Sequence, residues 1–172
     1  MKIEHATSDK EKSELDQLLW DVLWKPLELT RDIRQSFKLN NPQIDLIAVD
    51  DGVVIGGLVA NWLSENEIEI RHIAVRSEHQ RLSAGRRLVE GLIKLVQKDA
   101  LVTIVTCARN TSADFFAKLG FIPTGEYIEH QDFTQHGIKF QKMYLKVDSM
   151  ISDNSVFAAH STYPDAWHSA SP

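Results

Sequence analysis

A mixed α/β (α+β) fold, with a mostly antiparallel central sheet flanked by helices, is predicted by three features of the sequence. Apolar residues recur at helical spacing in two stretches, first Leu15, Leu18, Leu19, Val22 and Leu23, then Leu88, Val89, Leu92, Ile93, Leu95 and Val96. Between them lie three apolar or alternating runs, 44–49, 53–63 and 67–75, parted by the turn sequences Asp51-Gly52 and Ser64-Glu65-Asn66. The second helical stretch is followed by a strand, a short helix and two closing strands.

Taken in order, residues 2–5 read as a short first strand. Ser8-Asp9-Lys10-Glu11 has the form of a helix capping box, and Lys25-Pro26 ends the helix it opens. Thr30 is placed to cap a second, shorter helix through Phe37, and Asn40-Asn41-Pro42 is a loop. The strand 53–63 carries Gly56-Gly57, and 67–75 returns from the next turn. The main helix runs from about Ala84 to Lys98, with Glu90 and Lys94 as an i, i+4 pair on its outer side. Residues 101–107 form an apolar strand, and Gly120 has the place of the left-handed residue that ends the following short helix. Residues 121–128 and 138–147 close the sheet. From Asp148 the composition shifts to Ser, Ala, Asp and Pro. Residues 1–147 are therefore expected to form one domain, and 148–172 a poorly ordered C-terminal tail.

Composition narrows the function. The net charge is −5, with 19 basic against 24 acidic residues and no basic block beyond Arg86-Arg87, so no nucleic-acid partner is expected. No apolar run approaches the ~20 residues of a membrane span. The first residues lack the apolar core of a signal peptide, which predicts a cytoplasmic protein with no membrane partner. The single cysteine, Cys107, excludes an internal disulfide and reads as a small buried hydrophobe in its strand. Glu129, His130 and His136 are too loosely spaced for a metal centre, and none is expected.

The strongest functional signal is the segment 67–88, EIEIRHIAVRSEHQRLSAGRRL. A strand, a polar turn with the small residues Ser83, Ala84 and Gly85, and a helix start together make an anion-binding device. Backbone N–H groups at a helix N-terminus have no intrahelical partner, and the helix dipole adds partial positive charge there. The turn has neither the glycine-lysine signature of nucleotide hydrolases nor the three-glycine signature of dinucleotide folds. With Gln80, Ser83 and Gly85 it resembles the acyl-CoA pyrophosphate loop of the GNAT acetyltransferase superfamily, Gln/Arg-x-x-Gly-x-Gly/Ala. Downstream, Asn110 after a strand and Leu119-Gly120-Phe121 closing a helix resemble the second signature of that superfamily. Serine replaces the first glycine of the loop, and serine tolerates a positive φ poorly.

The resemblance implies an N-acetyltransferase that uses acetyl-CoA as co-substrate, on a sheet splayed between its fourth and fifth strands. Ile73, Ala74 and Val75 would contact the acyl and pantetheine part through the main chain. Gln80, Arg81, Leu82, Ser83, Ala84, Gly85 and Arg86 would wrap the pyrophosphate, Asn110 would bond the pantetheine, and Phe116 would lie near the sulphur. The acceptor would be a primary amine of a small molecule or peptide, and a second copy of the chain remains an open partner. An ammonium is not a nucleophile, so the amine must lose a proton. Glu69 has the spacing of the glutamate base of histone-type members, eleven residues before Gln80, with Glu67 as the fallback. Strand alternation places Glu69 on one face with Arg71, Ile73 and Val75, and His72 on the other. Where the family has a tyrosine near the sulphur this chain has Phe116, so Tyr127, Tyr144 and His136 are the candidate acids, Tyr127 first. The same departures leave open a second reading, a CoA-binding protein without catalysis.

Overall fold

A computed structural model describes residues 1–97 and 101–148. Its strands are β1 (Lys2–His5), β2 (Gln43–Asp50), β3 (Val53–Ser64), β4 (Glu67–Val75), β5 (Val102–Arg109), β6 (Ile122–Ile128) and β7 (Phe140–Val147). They form one sheet in the order β1-β2-β3-β4-β5-β7-β6. Every neighbouring pair is antiparallel except β4 and β5, which run parallel. The expected mixed, mostly antiparallel sheet is present. The tail assigned to 148–172 lies, beyond Asp148, outside the described residues.

Helices cover both faces. On one face α3 (Ala84–Val96) and α4 (Ala113–Lys118) bury Leu88, Leu92 and Phe116 against Leu58, Ile68 and Ile70. On the other, α1 (Asp9–Leu19) sets Leu15, Leu18 and Leu19 against Ile47, Val59 and Ala74. Ser8 and Glu11 make the anticipated capping box, each side chain accepting from the other's backbone N–H. The approach of α1 to β3 requires Gly57, because a Cβ there would collide with Leu15 Cδ1.

The first helix departs from expectation near its end. The α-helix stops at Leu19 and the chain continues as a π-helical turn, Trp20–Trp24, and a 3-10 turn, Lys25–Leu27. Pro26 has no N–H to give to the carbonyl of Val22, and the chain widens before it. Only Ile33–Ser36 of the second predicted helix is α-helical, as α2. A further short helix, α5 (Gln131–Thr134), occupies the connection between β6 and β7, where none was expected. Strand β5 runs two residues past its predicted end because β7 pairs with Ala108 and Arg109.

Two irregularities in β4 position the site. Its ladder with β5 covers only Glu67–Ile70 against Thr103–Thr106. Beyond that, β4 stays with β3 and β5 stays with β7, so the two strands part. The second irregularity is a bulge: Val59 pairs with His72 and Ala60 with Ile70, leaving Arg71 as the extra residue. An extra residue inverts the alternation. Glu69 therefore shares its face with His72 and Ala74, on the α1 side, whereas Ile68, Ile70, Ile73 and Val75 face α3. The predicted grouping of Glu69 with Ile73 and Val75, opposite His72, is corrected by this bulge.

Candidate active site

Where β4 and β5 part there is a cavity of about 380 Å³, within the range of small-ligand sites. Its wall draws on both faces of the sheet. Ile70, Ile73, Ala108 and Phe116 belong to the α3–α4 core, while Trp24, Phe37, Phe133 and Phe140 belong to the α1 core. An opening between parted strands is thus lined from one side by residues of the α3–α4 core and from the other by an aromatic cluster.

Glu69 is the carboxylate in that wall and is only 8% exposed. Arg71 Nη1 donates to its Oε2 at 2.8 Å, and the Cys107 thiol approaches its Oε1 at 3.8 Å. Arg71 also donates from Nη2 to the carbonyl of Phe37 at 3.1 Å, which ties α2 to the bulge. Cys107 is half-buried in the cavity wall and not in the core. Burial, then the charge of Glu69, pushes its pKa up to about 11, so it stays a protonated thiol. His72 packs edge-on against Trp24, with ring centroids 5.0 Å apart. Desolvation, then the charges of Arg34, Arg71 and Arg109, lowers its pKa to about 3, and it is a neutral imidazole at pH 7.

The predicted anion loop is built as a 3-10 segment, Ser77–Leu82, a left-handed Ser83 (φ 57°) and the start of α3. Serine therefore does adopt the positive φ of the position. No side chain caps α3 and no acid lies in its first turn, whereas Arg86 and Arg87 do. Arg86 stands 3.8 Å from Glu90 and Arg87 donates to the Met1 carbonyl at 3.2 Å, so what this helix start offers an anion such as a pyrophosphate is its open backbone N–H groups. Gly85 has a packing reason of its own: a Cβ there would stand 3.3 Å from Phe115 Cζ, where α3 crosses α4. Gln80, Leu82, Ala84 and Arg86 follow on the same loop and helix start, and Arg81 belongs to the 3-10 segment. Ile73, Ala74 and Val75 lie in the part of β4 that has left β5. Their main-chain groups on that side are free of the ladder.

Other predicted residues are placed differently. Asn110 turns its side chain to the backbone of the next loop, donating to Gly137 O at 3.3 Å and accepting from Lys139 N at 3.4 Å. Phe116 lines the cavity but is enclosed, edge-on to Phe115 and Phe121. Tyr127 is not brought to the cavity. It lies on β6, the edge strand, is 65% exposed, and its hydroxyl accepts from Gln141 Nε2. Tyr144 and His136 are likewise absent from the wall. Among the described residues no group of three potential ligands is close enough to hold a metal, and no helix is long and apolar enough to cross a membrane.

Sequence reasoning missed Arg109. It stands at the end of β5, donates from Nη2 to Leu23 O at 2.8 Å and lies over the Phe133 ring at 5.5 Å. The signal for it was the register of β7, which no local pattern carries.

Comparison with known proteins agrees with this geometry. Residues 9–121 match the sequence model of the family described as Acetyltransferase (GNAT) family. Among solved structures, an aminoglycoside 6'-N-acetyltransferase complexed with coenzyme A is similar with a TM-score of 0.67 at 19% identity, over 86% of this chain and 97% of that one. The ribosomal-protein-S18-alanine N-acetyltransferase from Escherichia coli gives 0.66 at 19% identity, over 91% and 99%. A putative N-acetyltransferase from Lactobacillus plantarum gives 0.69 at 12% identity, over 85% and 97%. At such identities these structures speak for the fold.

Proposed function

Because the chain belongs to the GNAT acetyltransferase family, with well over half of its length matched, we propose that it transfers acetyl directly from acetyl-CoA to a primary amine of a small molecule or peptide. The observation that carries this reading is the cavity between the parted strands, lined from both sheet faces and holding the buried Glu69 carboxylate.

Acetyl-CoA supplies the acyl group as a thioester. The start of α3 holds the pyrophosphate through the N–H groups of Ala84, Gly85 and Arg86, and the free edge of β4 at Ile73, Ala74 and Val75 pairs with the pantetheine amides. The same edge offers N–H groups to the thioester oxygen. From the α1 side the acceptor brings its nitrogen to Glu69, which takes the amine proton directly or through one water. The nitrogen then bonds to the carbonyl carbon as the carbon–sulphur bond breaks. The thiolate leaves without a tyrosine. Phe116 has no hydroxyl and Tyr127 lies outside the cavity, but a thiol of pKa ~8.5 is a tolerable leaving group. Cys107 is no acyl carrier in this scheme, since its thiol is held protonated.

A screen of amines with acetyl-CoA, reading free thiol release and the N-acetyl product by mass spectrometry, tests the reading. Acceptor-dependent thiol release with a matching product is expected. CoA binding with no acetylated product from any amine would leave the CoA-binding reading in its place.

A further inference from the structure

Arg109 is a cation that the fold supplies to the cavity without an acid. The other arginines near His72 are matched: Arg71 pairs with Glu69, and Arg34 pairs with Asp16. The nearby acids, exposed Glu129 after β6 and half-buried Asp132 in α5, face Lys139 and His130. No carboxylate among the described residues lies within ion-pair distance of Arg109. Its guanidinium is fixed on two sides, by the Leu23 carbonyl and by the face of Phe133. Burial alone lowers its pKa, with no neighbouring acid opposing the effect. A half-buried arginine held in place with N–H groups to spare, in the wall of a ligand cavity, is suited to a planar anion.

The position along the strand matters. Cys107, whose thiol touches Glu69, and Arg109 are two residues apart on β5, so both point to the same side and are offset by about 7 Å. An acceptor with its amine at Glu69 has room to present an acid to Arg109. The remaining wall on that side is aromatic, made by Trp24, Phe37, Phe133 and Phe140.

We infer that the acceptor is a compact amine that also carries a carboxylate, an amino-acid-like molecule with an apolar body, and that Arg109 binds the carboxylate. This rests on the acetyl-transfer reading above and specifies its substrate class. It disfavours polycations, because a polyamine or aminoglycoside would bring several positive charges to a cavity whose unmatched charge is already positive.

The test uses phenylalanine and phenylalaninamide, which share the amine and the ring and differ in the charge of the carboxyl group. The amide's amine is less basic and more of it is free base, so ordinary reactivity favours the amide. The expected result is the opposite: kcat/KM for phenylalanine higher by about tenfold to a hundredfold, the scale of a charge-assisted hydrogen bond. Arg109→Gln should bring the ratio towards one, and Arg109→Lys should restore part of it, which a role only in holding Leu23 does not predict. Calorimetry with N-acetylphenylalanine and its amide, in the presence of CoA, reads the same preference without turnover. The inference is overturned if the amide is equal or better in both measurements, or if Arg109→Gln leaves the ratio unchanged. Acetylation of polyamines but not of carboxylated amines would overturn it while leaving acetyl transfer standing. Absence of any acetylated product would count against the transfer reading, and the calorimetric ratio would still decide the role of Arg109.

Discussion

The two sides of the sheet meet the cavity by different means. On the α3 side Ile70, Ile73, Ala108 and Phe116 make the wall, and the elements around it are regular: a long amphipathic helix, its uncapped N-terminus and a strand edge freed from its neighbour. What they offer a ligand is main chain, whose geometry any sequence of the right small residues reproduces. On the α1 side the walls are a π-helical turn, two one-turn helices and a bulge. What they offer is side chains: Glu69, Arg71, His72, Arg109 and an aromatic cluster. A shared donor calls for the first kind of construction, and an acceptor peculiar to one enzyme calls for the second. On the proposed reading, the irregular pieces are the means of specificity.

That contrast can be broken one side at a time. The largest effect is expected on the α1 side. Glu69→Gln keeps the size of the side chain and its bond from Arg71 but removes the proton acceptor, so turnover should fall about 10²–10⁴-fold. Acetyl-CoA affinity, measured by calorimetry, should stay within about twofold, because the donor is held by the other face. A parallel loss of CoA affinity would erase the distinction between the faces.

On the α3 side, Ser83→Asp is the sharper probe. Aspartate tolerates the left-handed conformation, and a carboxylate is favourable at a helix N-terminus, so thermal stability should hold. Its carboxylate would stand where the pyrophosphate binds, and acetyl-CoA affinity should fall by roughly tenfold to a hundredfold. Gly85→Val is less clean, since its side chain would press on Phe115 as well as on a ligand. Unchanged affinity in Ser83→Asp would remove the α3 N-terminus from the site.

The smallest effect concerns His72. Its folded pKa of about 3 lies below the ordinary 6.5, so between those values the unfolded chain binds the proton that the folded chain refuses. Stability is then retained above pH 6.5 and lost as the pH falls towards 3. Thermal denaturation from pH 7 to pH 4 should show a shallower loss in His72→Gln than in the parent protein. Equal slopes would mean that His72 is not held neutral by the cavity.

Much of the local structure on the α3 side was legible in the sequence, because helical periodicity and small residues at a turn are local patterns. The face of Glu69 was not. Alternation along β4 assumes a regular ladder, and the bulge at Arg71 exists only in the pairing with β3. Arg109 was hidden for a related reason: the predicted strand stops at Cys107, and it is extended by its pairing with Phe140 and Gln141 of β7. Tyr127 is the first candidate acid once Phe116 lacks a hydroxyl, but β6 is the outer of the two closing strands and leaves it in solvent. Cys107 was recognised as apolar in setting, yet its contact with Glu69 depends on two strands meeting side by side.

A crystal structure with CoA and an N-acetylated product tests the account most directly. The pyrophosphate is expected on the N–H groups of Ala84, Gly85 and Arg86, and the sulphur in the gap between β4 and β5. The product is expected on the opposite side of that gap, within hydrogen-bond reach of Glu69. CoA seated elsewhere, or donor and product on the same face of the sheet, would contradict it.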